Sequence, residues 1–117
     1  MDFKNAKELL DFCQKLNCPI SDIMKQRECT LAETSLEDIY AKMDHALSIM
    51  RESASSPIQE PKKSIGGLIG GEARLADLHR ARGAAICGSV LSRAITYSMA
   101  VLETNTSMGL IVAAPTA

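Results

Sequence analysis

The residues of this chain that could do chemistry are few and scattered. Ser64-Ile-Gly-Gly-Leu-Ile-Gly-Gly71 places four glycines just ahead of a helix start, where backbone N–H groups can receive a substrate carboxylate. A flexible or tightly shaped connection is the competing reading, because glycine also permits turns that other residues avoid. The segment is neither a Walker motif nor a dinucleotide fingerprint. Asp44-His45 pairs a carboxylate with a side chain that titrates near neutrality, the makings of a general base. Adjacent helix positions do not face each other, so His45 reads as solvated or turned toward a second surface. His79, beside Arg80 and Arg82, reads as solvated. Glu103 and Asn105 follow an apolar helix and serve there as cap or as site residues. Pro115-Thr116 carries no signal of its own.

The four cysteines invite a metal reading. Cys13-x4-Cys18 has the spacing of the first cysteine pair in plant-type ferredoxins, but the third cysteine required shortly afterwards is missing. Cys13 also lies on the apolar face of a helical pattern, where a free thiol packs as a small hydrophobe, and Cys87 stands alone in an apolar stretch. Packing is preferred to ligation for Cys13, Cys18, Cys29 and Cys87, and no metal ligand is assigned.

The elements that must position these groups are helical. Phe3, Ala6, Leu9, Leu10, Cys13 and Leu16 recur at three- and four-residue intervals, which predicts a helix from Phe3 to Leu16. Pro19 breaks it, and Ser21 is the expected N-cap of a second, short helix that carries Ile23 and Met24 and ends near Cys29. Thr34-Ser-Leu-Glu37 reads as a capping box. It starts a helix with the stripe Leu36, Ile39, Tyr40, Met43, Leu47 and Met50, running to about Arg51, with Asp38, Lys42, His45 and Glu52 on the wet face. Ser53 to Lys63, with Pro57 and Pro61, reads as a mobile loop. A polar helix is expected from near Glu72 to around Gly83, where glycine suits a left-handed cap. From Ala84 to Leu102 the pattern is apolar nearly all round, with a narrow polar strip of Ser89, Ser92, Arg93 and Thr96; such a helix calls for burial on several sides. The stretch from Gly109 to Ala117 is apolar and ends without cap or turn, as in a chain cut within a longer protein.

Composition supports an all-α class. The 117 residues suit one domain with a modest core,. Two Phe, two Tyr and no Trp leave that core to Leu, Ile, Val, Met and Ala. With 13 Lys and Arg against 14 Asp and Glu, the formal net charge is −1, so no footprint for nucleic acid or an anionic membrane stands out. No run approaches the ~18 apolar residues of a membrane span. The N-terminus lacks the features of a secretory signal, which implies a cytoplasmic home and reduced cysteines.

Several segments together resemble the alpha chain of bacterial iron–sulfur L-serine dehydratases (L-serine ammonia-lyases), across essentially the whole chain. Ile20-Ser-Asp-Ile-Met24 is similar to an early Ser-Asp-x-Met element of that family, and Met43-Asp-His-Ala-Leu-Ser-Ile-Met50 to its Met-Asp-His-x-Leu-Ser-x-Met helix. Gly67-Leu68 followed by Gly70-Gly71 resembles its glycine-rich segment. Glu103-Thr-Asn105, Met108-Gly109 and Ala114-Pro-Thr-Ala117 resemble its Asn-Glu-x-Asn-Ala…Gly…Pro-Thr run. Leu102 stands where the family has Asn, and Thr106 where it has Ala.

The resemblance implies the helical N-terminal part of a larger helical catalytic domain. The implied reaction converts L-serine to pyruvate and ammonia, with a 4Fe-4S cluster acting as Lewis acid on the substrate hydroxyl. The cluster cysteines would lie beyond Ala117, and none of the four cysteines here falls at a ligand position. Implied partners are L-serine, the remainder of the alpha chain and a beta chain, in an oligomer. Gly67, Gly70 and Gly71 would shape the carboxylate site, with Glu103, Asn105, Pro115 and Thr116 beside the substrate and His45 a further catalytic candidate. This piece alone would be inactive. A helical interaction module without chemistry is the alternative. A pyridoxal-phosphate enzyme is disfavoured, because Lys62 and Lys63 lie in the Ser/Pro stretch rather than in a Ser-x-Lys context.

Overall fold

The computed structural model describes residues 2–83 and 85–113. Among them are five helices and no strand: α1 (Ala6–Leu16), α2 (Ile20–Leu31), α3 (Leu36–Gln59), α4 (Glu72–Ala81) and α5 (Gly88–Thr106). The all-α expectation holds. The chain divides into two compact units, Met1–His45 and Ala46–Ala117, so that α3 contributes its first part to one and the rest to the other.

In the first unit the helix ends are set by side chains close in sequence. Asn5 caps α1: the Glu8 N–H donates to Asn5 Oδ1 at 3.0 Å while Glu8 accepts from Lys4 N and Asn5 Nδ2, a reciprocal box that starts the helix at Ala6 rather than at the expected Phe3. At the other end Asn17 takes a left-handed φ of 48°, and the Cys18 N–H donates to Cys13 O. The N-cap of α2 is Pro19, not Ser21. Proline has no N–H to leave unsatisfied, and its carbonyl accepts from Asp22 N at 3.0 Å,. The box at the head of α3 is one residue later than expected. Ser35 Oγ accepts from Asp38 N at 3.1 Å, and Asp38 Oδ2 accepts from Ser35 N at 3.2 Å. α1 packs against α2, and Ile23 is fully buried. The Arg27 guanidinium lies 4.5 Å from the centre of the Phe3 ring.

The second unit departs furthest from the sequence pattern. The stretch expected as a loop from Ser53 is helical as far as Gln59, with Pro57 inside α3. A proline within a helix orphans the carbonyl four residues earlier, here that of Ser53. Thr104 Oγ1 lies 3.1 Å from Ser53 O and donates to it. Ser53 and Pro57 are both buried, so a side chain of α5 satisfies the group that proline leaves bare, and the helix continues.

α4 packs along α5, and the buried face of α5 takes in Ser92 and Thr96 of the polar strip, whereas Ser89 and Arg93 are exposed. Ser92, Thr96, Ala100, Glu103 and Thr104 are buried, whereas Val90 is 83% exposed and Leu91, Ile95, Tyr97 and Leu102 are also exposed. The expected burial of the apolar faces of α5 is thus not met among the described residues. Small side chains let two helices approach closely, and their hydroxyls bond back to their own helix: Ser92 Oγ donates to Gly88 O at 2.6 Å and Thr96 Oγ1 to Ser92 O at 2.9 Å. The two buried hydroxyls are thus satisfied in place.

Candidate functional site

The glycine segment is closed by Ser64. Its N–H donates to Ile69 O at 2.8 Å, its Oγ accepts from Ile69 N at 3.2 Å, and its carbonyl accepts from Gly67 N at 2.9 Å. Gly70 is required sterically: a Cβ there would stand 2.8 Å from Lys62 O and 2.9 Å from Lys63 Cα. Gly71, at φ 99°, is the N-cap of α4. The segment is therefore a tight connection that delivers the chain into α4.

Carboxylates of the chain itself meet the head of α4. Glu72 Oε2 accepts from Gly70 N at 2.7 Å. Glu103, near the end of α5, reaches across so that its Oε1 accepts from Ala73 N at 2.7 Å. Helix N-termini favour such acceptors, because the first N–H groups lack partners within the helix. Glu103 is 1% exposed, and its second oxygen, Oε2, is buried with no hydrogen-bond partner. A buried carboxylate with one oxygen fixed and one bare is an uncommon arrangement. It leaves Oε2 able to accept from a donor placed beside it. A substrate carboxylate seated at this helix start would compete with Glu103 for the N–H of Ala73.

The structure thus brings Glu103 together with the Gly70–Ala73 turn. It does not gather every expected site residue. Gly67 and Asn105 are exposed, and Asn105 projects from α5 beside the buried Glu103 and Thr104. His45 is exposed and belongs to the first unit. Pro115 and Thr116 lie outside the described residues. Thr104 and Ser53 were missed by the sequence reading, although the signal was present: a proline inside an otherwise helical stretch implies a bare carbonyl four residues before it, and hence a donor elsewhere.

After α5 the chain is held against Thr104. Gly109 N donates to Thr104 O at 2.8 Å, and a Cβ on Gly109 would stand 2.7 Å from Thr104 Cγ2. Thr104 is therefore touched from two sides, by Ser53 of α3 and by Gly109.

The thiols do not form a ligand set. Cys13, Cys18 and Cys29 lie in the first unit, partly buried, and Cys87 is exposed in the second. Burial and the neighbouring Cys13 and Asp22 push the Cys18 thiol upward, away from the thiolate that binds metal,. Among the described residues, no three His, Cys, Asp or Glu side chains are grouped to hold a metal ion. These residues do not fit an iron–sulfur cluster. Among the same residues, no helix is long and apolar enough to cross a membrane.

This geometry belongs to an all-α chain with a buried carboxylate at a glycine-led helix start, and the comparisons give it a family. The profile of the serine dehydratase alpha chain family matches residues 15–117, so the chain belongs to that family. It is 36% identical over 115 residues to the probable L-serine dehydratase, alpha chain, of Bacillus subtilis (strain 168), covering 98% of this chain and 38% of that protein. It is 31% identical over 112 residues to the L-serine dehydratase, alpha chain, of Peptoniphilus asaccharolyticus, covering 96% of this chain and again 38% of the relative. The chain thus spans well under half the length of these relatives. No solved structure matches it.

Proposed function

We propose that this chain forms part of an L-serine ammonia-lyase and supplies one wall of its serine site. The observation that carries the reading is Glu103, buried, fixed through Oε1 to the first turn of α4 and bare at Oε2. The reaction removes the α-proton and the β-hydroxyl of L-serine as water, giving aminoacrylate. This tautomerises to the imine, and water returns to give pyruvate and ammonia. Gly67, Gly70 and Gly71 shape the loop that leads into α4, with Glu103, Asn105, Pro115 and Thr116 beside the substrate and His45 a further catalytic candidate. A 4Fe-4S cluster would be held by residues outside this chain, since those present do not fit it. The remainder of an alpha chain, a beta chain, assembly as an oligomer and a cytoplasmic setting complete the proposal. Acting alone, the chain is catalytically silent.

The test is to produce the complete reading frame with its beta chain under anaerobic conditions and to assay iron content and pyruvate formed from serine. Glu103→Gln keeps an acceptor for the Ala73 N–H and removes the charge at Oε2. A fall in kcat on the order of 100-fold or more is expected if that oxygen takes part in proton transfer, with helicity unchanged. Absence of both iron and pyruvate in the wild-type assembly sinks the lyase reading. Unchanged turnover in Asn105→Ala or Thr116→Ala removes those residues from the site. The second reading, a helical interaction module without chemistry, is favoured by the exposed apolar side chains of α5. It predicts an assembly that forms but produces no pyruvate.

A further inference from the structure

We infer that the cleft between the second half of α3 and the end of α5 binds a small α-amino acid as its zwitterion, with Lys62 meeting the carboxylate and Glu52 the ammonium group. The cleft measures about 200 Å³ and is lined by Ser48, Ile49 and Glu52 of α3, by Lys62, and by Thr104 and Leu110. Ligand pockets for drug-sized molecules run to ~300–1,000 Å³; this one suits a metabolite of a few heavy atoms.

Its charges are complementary to an amino acid and unspent on each other. Among the described residues ion pairs join Lys25 to Asp22, Arg27 to Asp2 and Arg80 to Asp77, and neither Glu52 nor Lys62 takes part in one. A cation and an anion that line one small cleft without pairing leave both charges available to a molecule carrying both, which would meet each with a charge-assisted hydrogen bond. A monovalent ligand would satisfy only one of them. The hydroxyls sort themselves similarly. Thr104 Oγ1 is committed to Ser53 O and Ala100 O, and Ser53 Oγ to Met50 O, so these two form wall. Among the described residues Ser48 has no side-chain hydrogen-bond partner, so its hydroxyl can meet a polar substituent. Ile49 lines the apolar side, with Leu110, itself exposed, at the rim, and the small volume favours a short side chain.

The cleft is also tied to the glycine segment. The Lys62 carbonyl sits so close under Gly70 that a Cβ there would collide with it. Gly70 thus sets where Lys62 can stand, which gives that glycine a role beyond receiving a carboxylate on its own N–H. None of Ser48, Glu52, Lys62 or Thr104 is among the residues assigned to the serine site above.

The choice of L-serine as the first probe rests on the lyase reading; the charge pattern does not. The experiment titrates the full chain with L-serine, glycine, lactate and ethanolamine, and follows backbone amide shifts by NMR with circular dichroism as the control on fold. L-Serine and glycine are expected to shift the amides around Glu52, Lys62 and Leu110, whereas lactate, lacking the ammonium, and ethanolamine, lacking the carboxylate, bind at least about tenfold more weakly. Lys62→Ala and Glu52→Gln should each weaken serine binding about tenfold or more, while Lys63→Ala and Glu60→Gln, on neighbouring positions, leave it unchanged. Serine that shifts none of these amides, or shifts them equally in the well-folded K62A and E52Q chains, overturns the inference. Because the readout is binding, failure of the complete assembly to make pyruvate speaks against the lyase reading and leaves the cleft standing. Conversely, full turnover of serine by that assembly beside an unresponsive cleft removes the cleft and leaves the lyase.

Discussion

The two units of this chain bury opposite kinds of surface. In the first, α1 and α2 follow the usual arrangement, with an aliphatic side chain, Ile23, at the centre and Phe3 shielded by Arg27. In the second, the fully or nearly fully buried positions among the described residues are Ser53, Pro57, Ala73, Ser92, Thr96, Ala100, Glu103 and Thr104, mostly small or polar, while long apolar side chains of α5 face outward. The first is held by the volume it buries. The second is held by closeness of approach and by hydrogen bonds that cross between elements, from Glu103 to α4 and from Thr104 to α3.

This contrast can be broken from both sides. The largest effect is expected from Ile23→Ala, which removes buried volume and should cost about 2–5 kcal/mol. In a unit this small that loss should appear as complete loss of hydrogen-exchange protection in α1 and α2, with α4 and α5 unaffected. Ala100→Leu is the counterpart in the second unit. Ala100 is fully buried, and added volume there should cost about 1–3 kcal/mol, read as a lower denaturation midpoint. If Ala100→Leu is tolerated and Ile23→Ala is not, the close-approach account of α4 on α5 is wrong.

A double-mutant cycle sharpens the hydrogen-bond half of the comparison. Thr104→Val removes the donor to Ser53 O and should cost about 1–2 kcal/mol. Pro57→Ala restores a backbone N–H able to bond that carbonyl within α3. Thr104→Val should then cost less in the Pro57→Ala background than alone, and equal costs in both would show that the two residues are not coupled.

The smallest effects belong to the local caps of the first unit. Ser35→Ala should cost about 1 kcal/mol at the head of α3. The hydrogen bonds from the Ser35 hydroxyl, then the Thr34 hydroxyl and the Ser35 N–H, hold the Asp38 carboxyl below its ordinary range. A carboxyl depressed in the folded state contributes stability that is present above its unfolded pKa and lost as pH falls through the folded value. An NMR titration of Asp38 should therefore move upward in Ser35→Ala; an unmoved titration would detach the shift from this cap.

Much of the helical content was legible because it is local. Glycine after Arg82, the stripe from Leu36 onward and the break at Pro19 all act within a turn or two of chain, and helices stand where they predict. The boundaries slipped where neighbouring residues competed for one role: Asn5 capped α1 ahead of Phe3's reach, Pro19 displaced Ser21, and Ser35 with Asp38 displaced Thr34 with Glu37. Such contests turn on hydroxyl and carboxylate geometry that residue type alone does not rank. The loop reading of Ser53–Lys63 missed for a different reason. A proline penalty assumes a bare carbonyl, and the donor that relieves it comes from Thr104, 51 positions away.

The sequence by itself determined that this protein is helical, roughly where each helix lies, that the glycines between Ser64 and Gly71 lead into α4, and, through distributed motifs, its family. Periodicity and capping are short-range effects, and family motifs are strings. Only the tertiary structure decided which face of α5 is inside, because an apolar surround and a satisfied small-residue strip are both acceptable to an isolated helix. It also decided that Glu103 closes the start of α4 with one oxygen left bare, and that Glu52 and Lys62 share a cleft. Glu103 and Ala73 are 30 positions apart, so no short window contains both; Glu52 and Lys62 are close in sequence, but periodicity does not say that the chain after α3 turns back to put them in one cleft.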